Sequence, residues 1–335
     1  MPGLCVVGYI VRCMKLILRL LGVVLVTVLV FAVAGLVATW APDKPLEVLK
    51  ARWATPPSQF VAVNGLQVHL RDEGPRDDAE PIVLLHGTSA SLHTWDGWTQ
   101  ALIAQRRVIR FDLPAFGLTG PRADNQYTMA AYVQFVLATL DKLGVQRFVL
   151  GGNSLGGQIA WGAAHAAPQR VTKLILVDAG GYVFTPKSVP IGFTIAHTPG
   201  LRTLMEYTLP RGLVKSSLEN VYGNPARVTP ELIDRYYELT LRAGNRKALA
   251  YRMDQGLAGN EADIKMLKLP VLILWGAKDE LIPLENGWAF ARDIPGSRLV
   301  VFDGLGHVPH EEDPVATVLE VKKFLHWRVI VKVTP

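Results

Sequence analysis

The chain has 335 residues, half of them hydrophobic and 19% charged, with a net charge of +6. That much apolar content with mixed charges offsets the ordering entropy of a fold, which excludes a disordered, collagenous or low-complexity chain. The only cysteines, Cys5 and Cys13, stand at the N-terminus, which excludes a disulfide scaffold and any thiolate metal site in the rest of the chain. The basic residues form no single patch and no nucleic-acid motif accompanies them, so nucleic acid is not an expected partner.

Residues 1–19 read as a short tail carrying Arg12, Lys15 and Arg19. Residues 20–38, LLGVVLVTVLVFAVAGLVA, carry no charge and as a helix reach about 28 Å, near the ~30 Å hydrocarbon core of a bilayer. A single transmembrane helix is expected. A cleaved secretory signal is the competing reading, since Ala32-Val33-Ala34 offers a cleavage site, but its apolar region should run only ~7–15 residues. Lys44, Lys50 and Arg52 follow the span more loosely than the three basic residues that precede it. The N-terminus is therefore expected to be cytoplasmic, and the bulk of the chain periplasmic or extracellular.

Pro42, Pro45, Pro56 and Pro57 mark residues 39–57 as a linker. Alternating runs at 59–63 and 66–71 are joined by Asn64-Gly65, a strong hairpin signal. Short Val-, Ile- and Leu-rich runs follow at 81–85, 108–111, 148–150, 173–177, 271–275 and 298–302, which suits strands buried on both faces. Helical segments separate most of them. Residues 128–143 form one, with Thr128 as cap, Met129, Val133, Val136, Leu137 and Leu140 on one face and Gly144 closing it. The alternation predicts an α/β fold with a mostly parallel sheet and an N-terminal antiparallel hairpin. Its core spans 58–180 and 264–328. Residues 181–263 show helical patches at 201–209, 230–243 and 246–255 and no clear strand. They are expected to form a helical cap on the C-terminal edge of the sheet, where open α/β sheets bind ligands.

The chemistry concentrates at three strand ends. Phe148 to Ala160 reads FVLGGNSLGGQIA, a strand turning into a helix with Ser154 at the apex and Gly152 and Gly156 on either side. Such a turn strains the serine backbone and needs neighbours without bulk. A hydroxyl needs a base, and His307, after the last strand, suits the role because its pKa lies near neutrality. Asp279, after the strand before it, is expected to orient the imidazole; Asp178 and Asp112 also stand at strand ends, and Asp178 is the next choice. The order Ser154, Asp279, His307 agrees with a nucleophile elbow that opens a triad. The backbone N–H groups of Leu155 and Thr88 are the expected oxyanion donors. His86 and Gly87 are expected to support that loop. His310 lies three residues beyond His307, but no carboxylate or thiol cluster completes a metal site, so none is expected.

These motifs, with Asp112-Leu-Pro-Ala-Phe-Gly117 and Trp275-Gly-Ala-Lys-Asp279, occur in register over about residues 58 to 326, and the chain resembles the α/β-hydrolase superfamily. Its similarity is greatest to capped serine esterases and lipases of the monoacylglycerol-lipase-like and carboxylesterase-like kind, some of them membrane-anchored. The resemblance implies a cap over the active site, no cofactor, and hydrolysis of a small-molecule carboxylic ester with a lipid-like or medium-chain acyl group. Carbon–carbon bond hydrolysis of ring-cleavage products is the alternative, which Asn153-Ser154 and residues 283–287 suggest. Against it, Val308 stands where those enzymes usually carry Trp, and no Gly-Pro-Gly follows His86-Gly87. A third reading is a non-enzymatic, membrane-tethered interaction module. The sequence sets neither the acyl length nor the oligomeric state.

Overall fold

The computed structural model describes residues 3–198, 200–256 and 260–326. Helix α1 (Gly3–Ala38) takes in the basic tail as well as the apolar run. β-Branched residues are weak helix formers in water, yet in lipid a lone apolar stretch satisfies its backbone groups internally only as a helix. Its side chains face outward: Leu25 is 69% and Phe31 73% exposed. The segment Arg12–Ala38 contains a window of mean hydropathy 3.0, long and apolar enough to cross a membrane.

Residues 39–57 are docked on the globular part and do not run free as a linker. Helix α2 (Leu46–Trp53) turns Leu49 and Trp53 inward, where they pack with Leu118 and Leu239. The Trp53 indole N–H donates to Glu238 at 2.7 Å. Prolines mark where a chain turns but say nothing about whether the residues between them pack; the apolar face of Leu46, Leu49 and Trp53 decides that here. Just past α1, Ala41 N–H donates to Tyr207 O at 2.9 Å, Leu209 N–H donates to Thr39 O at 3.0 Å, and the Trp40 ring stacks on Tyr207 at 5.8 Å.

Strands β1 (Gln59–Val63), β2 (Leu66–Glu73), β3 (Ile82–Leu85), β4 (Val108–Phe111), β5 (Phe148–Asn153), β6 (Val171–Val177), β7 (Val271–Gly276) and β8 (Arg298–Phe302) form one sheet. Their order is β1-β2-β4-β3-β5-β6-β7-β8. β1 and β2 pair antiparallel around Asn64-Gly65, β2 meets β4 antiparallel, and every later pairing is parallel. Helices α3 (Asp96–Leu102), α4 (Met129–Lys142) and α5 (Leu155–Ala166) lie between the first six strands. Thr128 caps α4 through a bond from Ala131 N–H. Between β6 and β7 come α6 (Ile191–His197), α7 (Leu201–Met205), α8 (Arg211–Val221), α9 (Pro230–Thr240), α10 (Asn245–Gln255) and α11 (Glu261–Lys265), then α12 (Glu285–Asp293), α13 (Pro309–Glu312) and α14 (Pro314–Phe324).

Alternation along β3 sends Val83 and Leu85 to one face, where Val136 and Ile159 of α4 and α5 cover them, and Ile82 and Leu84 to the other, with Trp98 of α3 and Val318 and Val321 of α14. Because β3 has β4 on one side and β5 on the other, the strand order reverses there and leaves a crevice at the C-terminal ends of the strands.

Asp112, at the end of β4, braces this edge. Its carboxylate accepts from His69 Nδ1 at 2.7 Å, Leu92 N–H at 2.8 Å and Leu118 N–H at 2.7 Å. Burial pushes this carboxyl up, but the His69 ring bonded to it, together with the His86 and His93 rings, outweighs burial and holds it well below the usual carboxylate range. A depressed folded pKa adds stability above the unfolded pKa of ~3.9 and loses it as pH falls through the folded value. Asp112→Asn is therefore expected to cost about 3 kcal/mol. In urea unfolding the gap from wild type should be constant from about pH 8 to 5 and should shrink below about pH 4; a gap independent of pH down to acid conditions contradicts the brace.

Candidate active site

Ser154 sits between β5 and α5 with φ 53° and ψ −116°, a strained conformation for a residue with a side chain. The turn closes only because its neighbours are glycines. A Cβ on Gly152 would lie 2.2 Å from Gly156 O, and one on Gly156 would lie 2.2 Å from Leu85 O. Strand and helix thus approach backbone to backbone, and the serine side chain is pushed out at the C-terminal edge of the sheet.

His307 and Asp279 arrive from neighbouring strands. His307 follows β8 and Asp279 follows β7, and His307 Nδ1 lies 2.7 Å from Asp279 Oδ2. A carboxylate accepts, so Nδ1–H donates and Nε2 is left as the acceptor. Asp279 Oδ1 accepts from the N–H groups of Leu281 and Ile282, each at 2.9 Å, which fixes the carboxylate plane. Asn153, next to the serine, donates from Nδ2 to His307 O at 2.9 Å and to Val177 O at 3.1 Å. It ties the histidine loop to the elbow, a role that depends on a partner 154 residues away and that no sequence spacing reveals.

The loop after β3 passes beside the serine: a Cβ on Gly87 would lie 3.2 Å from Ser154 Cβ. Leu155 N–H belongs to the first turn of α5, where no intrahelical acceptor precedes it. Leu155 and the loop carrying Thr88 therefore flank the space above Ser154. His86 Nδ1–H donates to Gly87 O at 2.7 Å and its Nε2 accepts from Leu113 N–H at 2.9 Å. Burial holds its ring below the ordinary histidine range, so the neutral ring acts as a strut for the loop. His310 is buried against Trp95 with ring centroids 4.0 Å apart, and its Nε2 meets Thr94 Oγ1 at 3.0 Å.

A second Ser-His-Asp array exists on paper. His69 Nε2 lies 2.9 Å from Ser58 Oγ while its Nδ1 holds Asp112. His69 is fully buried with Phe60 stacked on it at 5.1 Å, and Ser58 Oγ also accepts from Arg71 Nε at 3.0 Å. This array belongs to the brace at the sheet edge.

Residues 80–314 match the model of the alpha/beta hydrolase fold family. The chain belongs to the α/β-hydrolase family. It is 31% identical over 270 residues to 2-hydroxymuconate semialdehyde hydrolase of Pseudomonas putida, covering 78% of this chain and 91% of that one. Among solved structures, the meta-cleavage product hydrolase of Pseudomonas fluorescens is 25% identical with TM-score 0.69, covering 80% of this chain and 97% of that one. A thermophilic esterase of Thermogutta terrifontis is also 25% identical, with TM-score 0.65 and the same coverages.

In this hydrolase a second buried carboxyl group, Asp178, stands beside the site. Oxygens of Asp178 and Asp279 and a ring nitrogen of His307 lie within 4.8 Å of one another. Asp178 Oδ1 accepts from Gly276 N–H at 2.9 Å. Burial, and then the charge of Asp279, push the Asp178 carboxyl well above the usual range. Two buried carboxyl groups this close disfavour a second negative charge, so Asp178 holds its proton more tightly than a solvated carboxyl does. Asp178→Asn mimics the protonated form that this shift favours, so the acid limb of the kcat/KM profile is expected to stay where it is in wild type. A limb shifted downward means that an anion was removed. A raised folded pKa also means that wild type loses stability as pH climbs above ~3.9. The melting temperature of the variant should therefore gain on wild type as pH rises above about 4, whereas a constant difference contradicts the raised carboxyl pKa.

Proposed function

We propose that this hydrolase cleaves carboxylic esters by acyl transfer through Ser154, with His307 as general base and Asp279 as its orienting acid. Ser154 Oγ attacks the ester carbonyl as His307 Nε2 takes its proton, and the N–H groups of Leu155 and Thr88 receive the developing oxyanion. The alcohol leaves with the proton from His307. Water, activated by the same ring, then releases the acid from the acyl-enzyme. Each step needs one proton moved between Nε2 and an oxygen above Ser154, and the Asp279 bond to Nδ1 at 2.7 Å keeps Nε2 free for it.

The observation that carries the ester reading is the chamber under α6 to α9. Thr88 and Ser89 form its floor, and Phe193, Met205, Leu213 and Val221 are among its walls. Among the described residues that line it, none is charged. An apolar acyl chain gains about 0.8 kcal/mol for each buried CH₂ in such a space, whereas an ionised acid would lose its hydration against this uncharged lining; the buried Arg246, paired with Asp43, lines an adjoining cavity that shares Ser89, Thr240 and Leu249 with the chamber. The end of α1 supports a lipid-like substrate: Thr39 and Trp40 join residues 207–209, and Leu209 also lines the chamber. With α1 as a membrane anchor, its basic end cytoplasmic and the hydrolase on the far side, the chamber lies at the bilayer surface.

The second reading, hydrolysis of a carbon–carbon bond in ring-cleavage products, draws on the relatives whose names state that activity. A muconate semialdehyde carries a carboxylate, which no residue lining the chamber pairs by charge; Arg246 of the adjoining cavity is the cation this second reading would use. Full-length enzyme in detergent is therefore expected to hydrolyse p-nitrophenyl esters, with kcat/KM rising from acetate to octanoate, and to leave a 2-hydroxymuconate semialdehyde unconverted. Ser154→Ala should lose at least ~10³-fold in kcat with the fold retained. Negligible activity on every ester with turnover of the dienoate moves the assignment to carbon–carbon cleavage, and an active Ser154→Ala enzyme removes the nucleophile.

A further inference from the structure

One buried carboxylate outside the triad joins two chain segments that the chemistry needs together. Glu312, 5% exposed at the end of α13, accepts from Gly306 N–H and Gly223 N–H at Oε2, both at 2.9 Å, and from Asn224 N–H at Oε1 at 2.8 Å. Gly306 precedes His307, whereas Gly223 and Asn224 follow α8 of the helical insertion. A second bond runs the same way: His307 N–H donates to Val221 O at 2.8 Å. The segments touch backbone to backbone, since a Cβ on Gly306 would lie 2.4 Å from Gly223 N and one on Gly223 would lie 2.6 Å from Gly306 N. Arg227 binds Glu312 O from the same rib of the insertion.

We propose that Glu312 is a positioning residue that couples the seating of the helical insertion to the placement of His307. The rib 221–224 is held to the histidine loop by the Val221 bond and by Glu312, and Glu312 is the side-chain acceptor that both segments share. Val221 supplies the link to substrate, because it lines the chamber while its carbonyl holds the His307 N–H. A chain that fills the chamber presses on the residue that steadies the base. Acyl length then acts on kcat through His307, in addition to its effect on binding.

The proposal rests on His307 being the base for Ser154, and its test uses a readout that needs no particular substrate. The rate at which a fluorophosphonate labels Ser154 reports serine activation by histidine whether esters or carbon–carbon bonds are the natural target. Glu312→Ala in the full-length enzyme is expected to label on the order of 30-fold more slowly, as a misplacement of a catalytic group by a fraction of an ångström does. Its kcat on p-nitrophenyl octanoate should fall by a similar factor with KM changed less than about threefold. Glu312→Gln keeps the shape and one acceptor oxygen, so it should recover most of the rate and remain roughly fivefold below wild type. If Glu312→Ala does not fold, Glu312→Gln alone decides, with slower labelling at unchanged far-UV circular dichroism as the supporting result. Wild-type labelling rates in the folded variants, with only the melting temperature lowered, overturn the proposal and leave Glu312 a structural tie. Loss of labelling in wild type itself points instead to a failed triad.

Discussion

The architecture depends on how closely β5 and α5 approach at Ser154. Gly152 and Gly156 stand where any side chain would overlap backbone at 2.2 Å. That contact holds the serine at a positive φ and lifts it out of the sheet. Everything else at the site is placed relative to it: the β3 loop passes beside it through Gly87, and Asn153 reaches the carbonyl of His307. Backbone strain at one residue is thus tolerated because packing on both sides determines it more strongly than its own torsional preference.

Local patterns made much of this legible in the sequence. The elbow announces itself because glycine, serine and glycine at fixed spacing sit between a strand and a helix, and the hairpin because Asn64-Gly65 joins two alternating runs. The strand ends that carry Ser154, Asp279 and His307 follow from apolar runs that a doubly covered sheet requires. What remained hidden depends on partners far away in the chain. Helix α2 looks like a linker until Trp53 meets Glu238. Glu312 looks like one acid in a run of three until Gly223, Asn224 and Gly306 converge on it. Asp178 stands at a strand end just as an ionised acid would, and only its burial beside Asp279 favours the protonated form.

A single nucleophile and base serve either ester or carbon–carbon hydrolysis, so the difference between the two must lie in the space above them. Relatives of this hydrolase are named for ring-cleavage products, whereas the chamber here has apolar walls and no charge among its described lining. Helix α1 adds a second constraint, because its end is bonded to the same segment that closes the chamber. An apolar helix long enough to cross a membrane, an apolar chamber and a shared junction support the proposal of a substrate that is itself largely hydrocarbon.

The central claim is an acyl-enzyme on Ser154. Full-length enzyme mixed with p-nitrophenyl octanoate and quenched in acid within the first turnover, then digested and read by mass spectrometry, tests it directly. The account predicts an octanoyl adduct on the peptide containing Ser154, appearing with a burst of nitrophenol and vanishing as substrate is exhausted. Steady ester turnover with no adduct there, or an adduct on another residue, would contradict it.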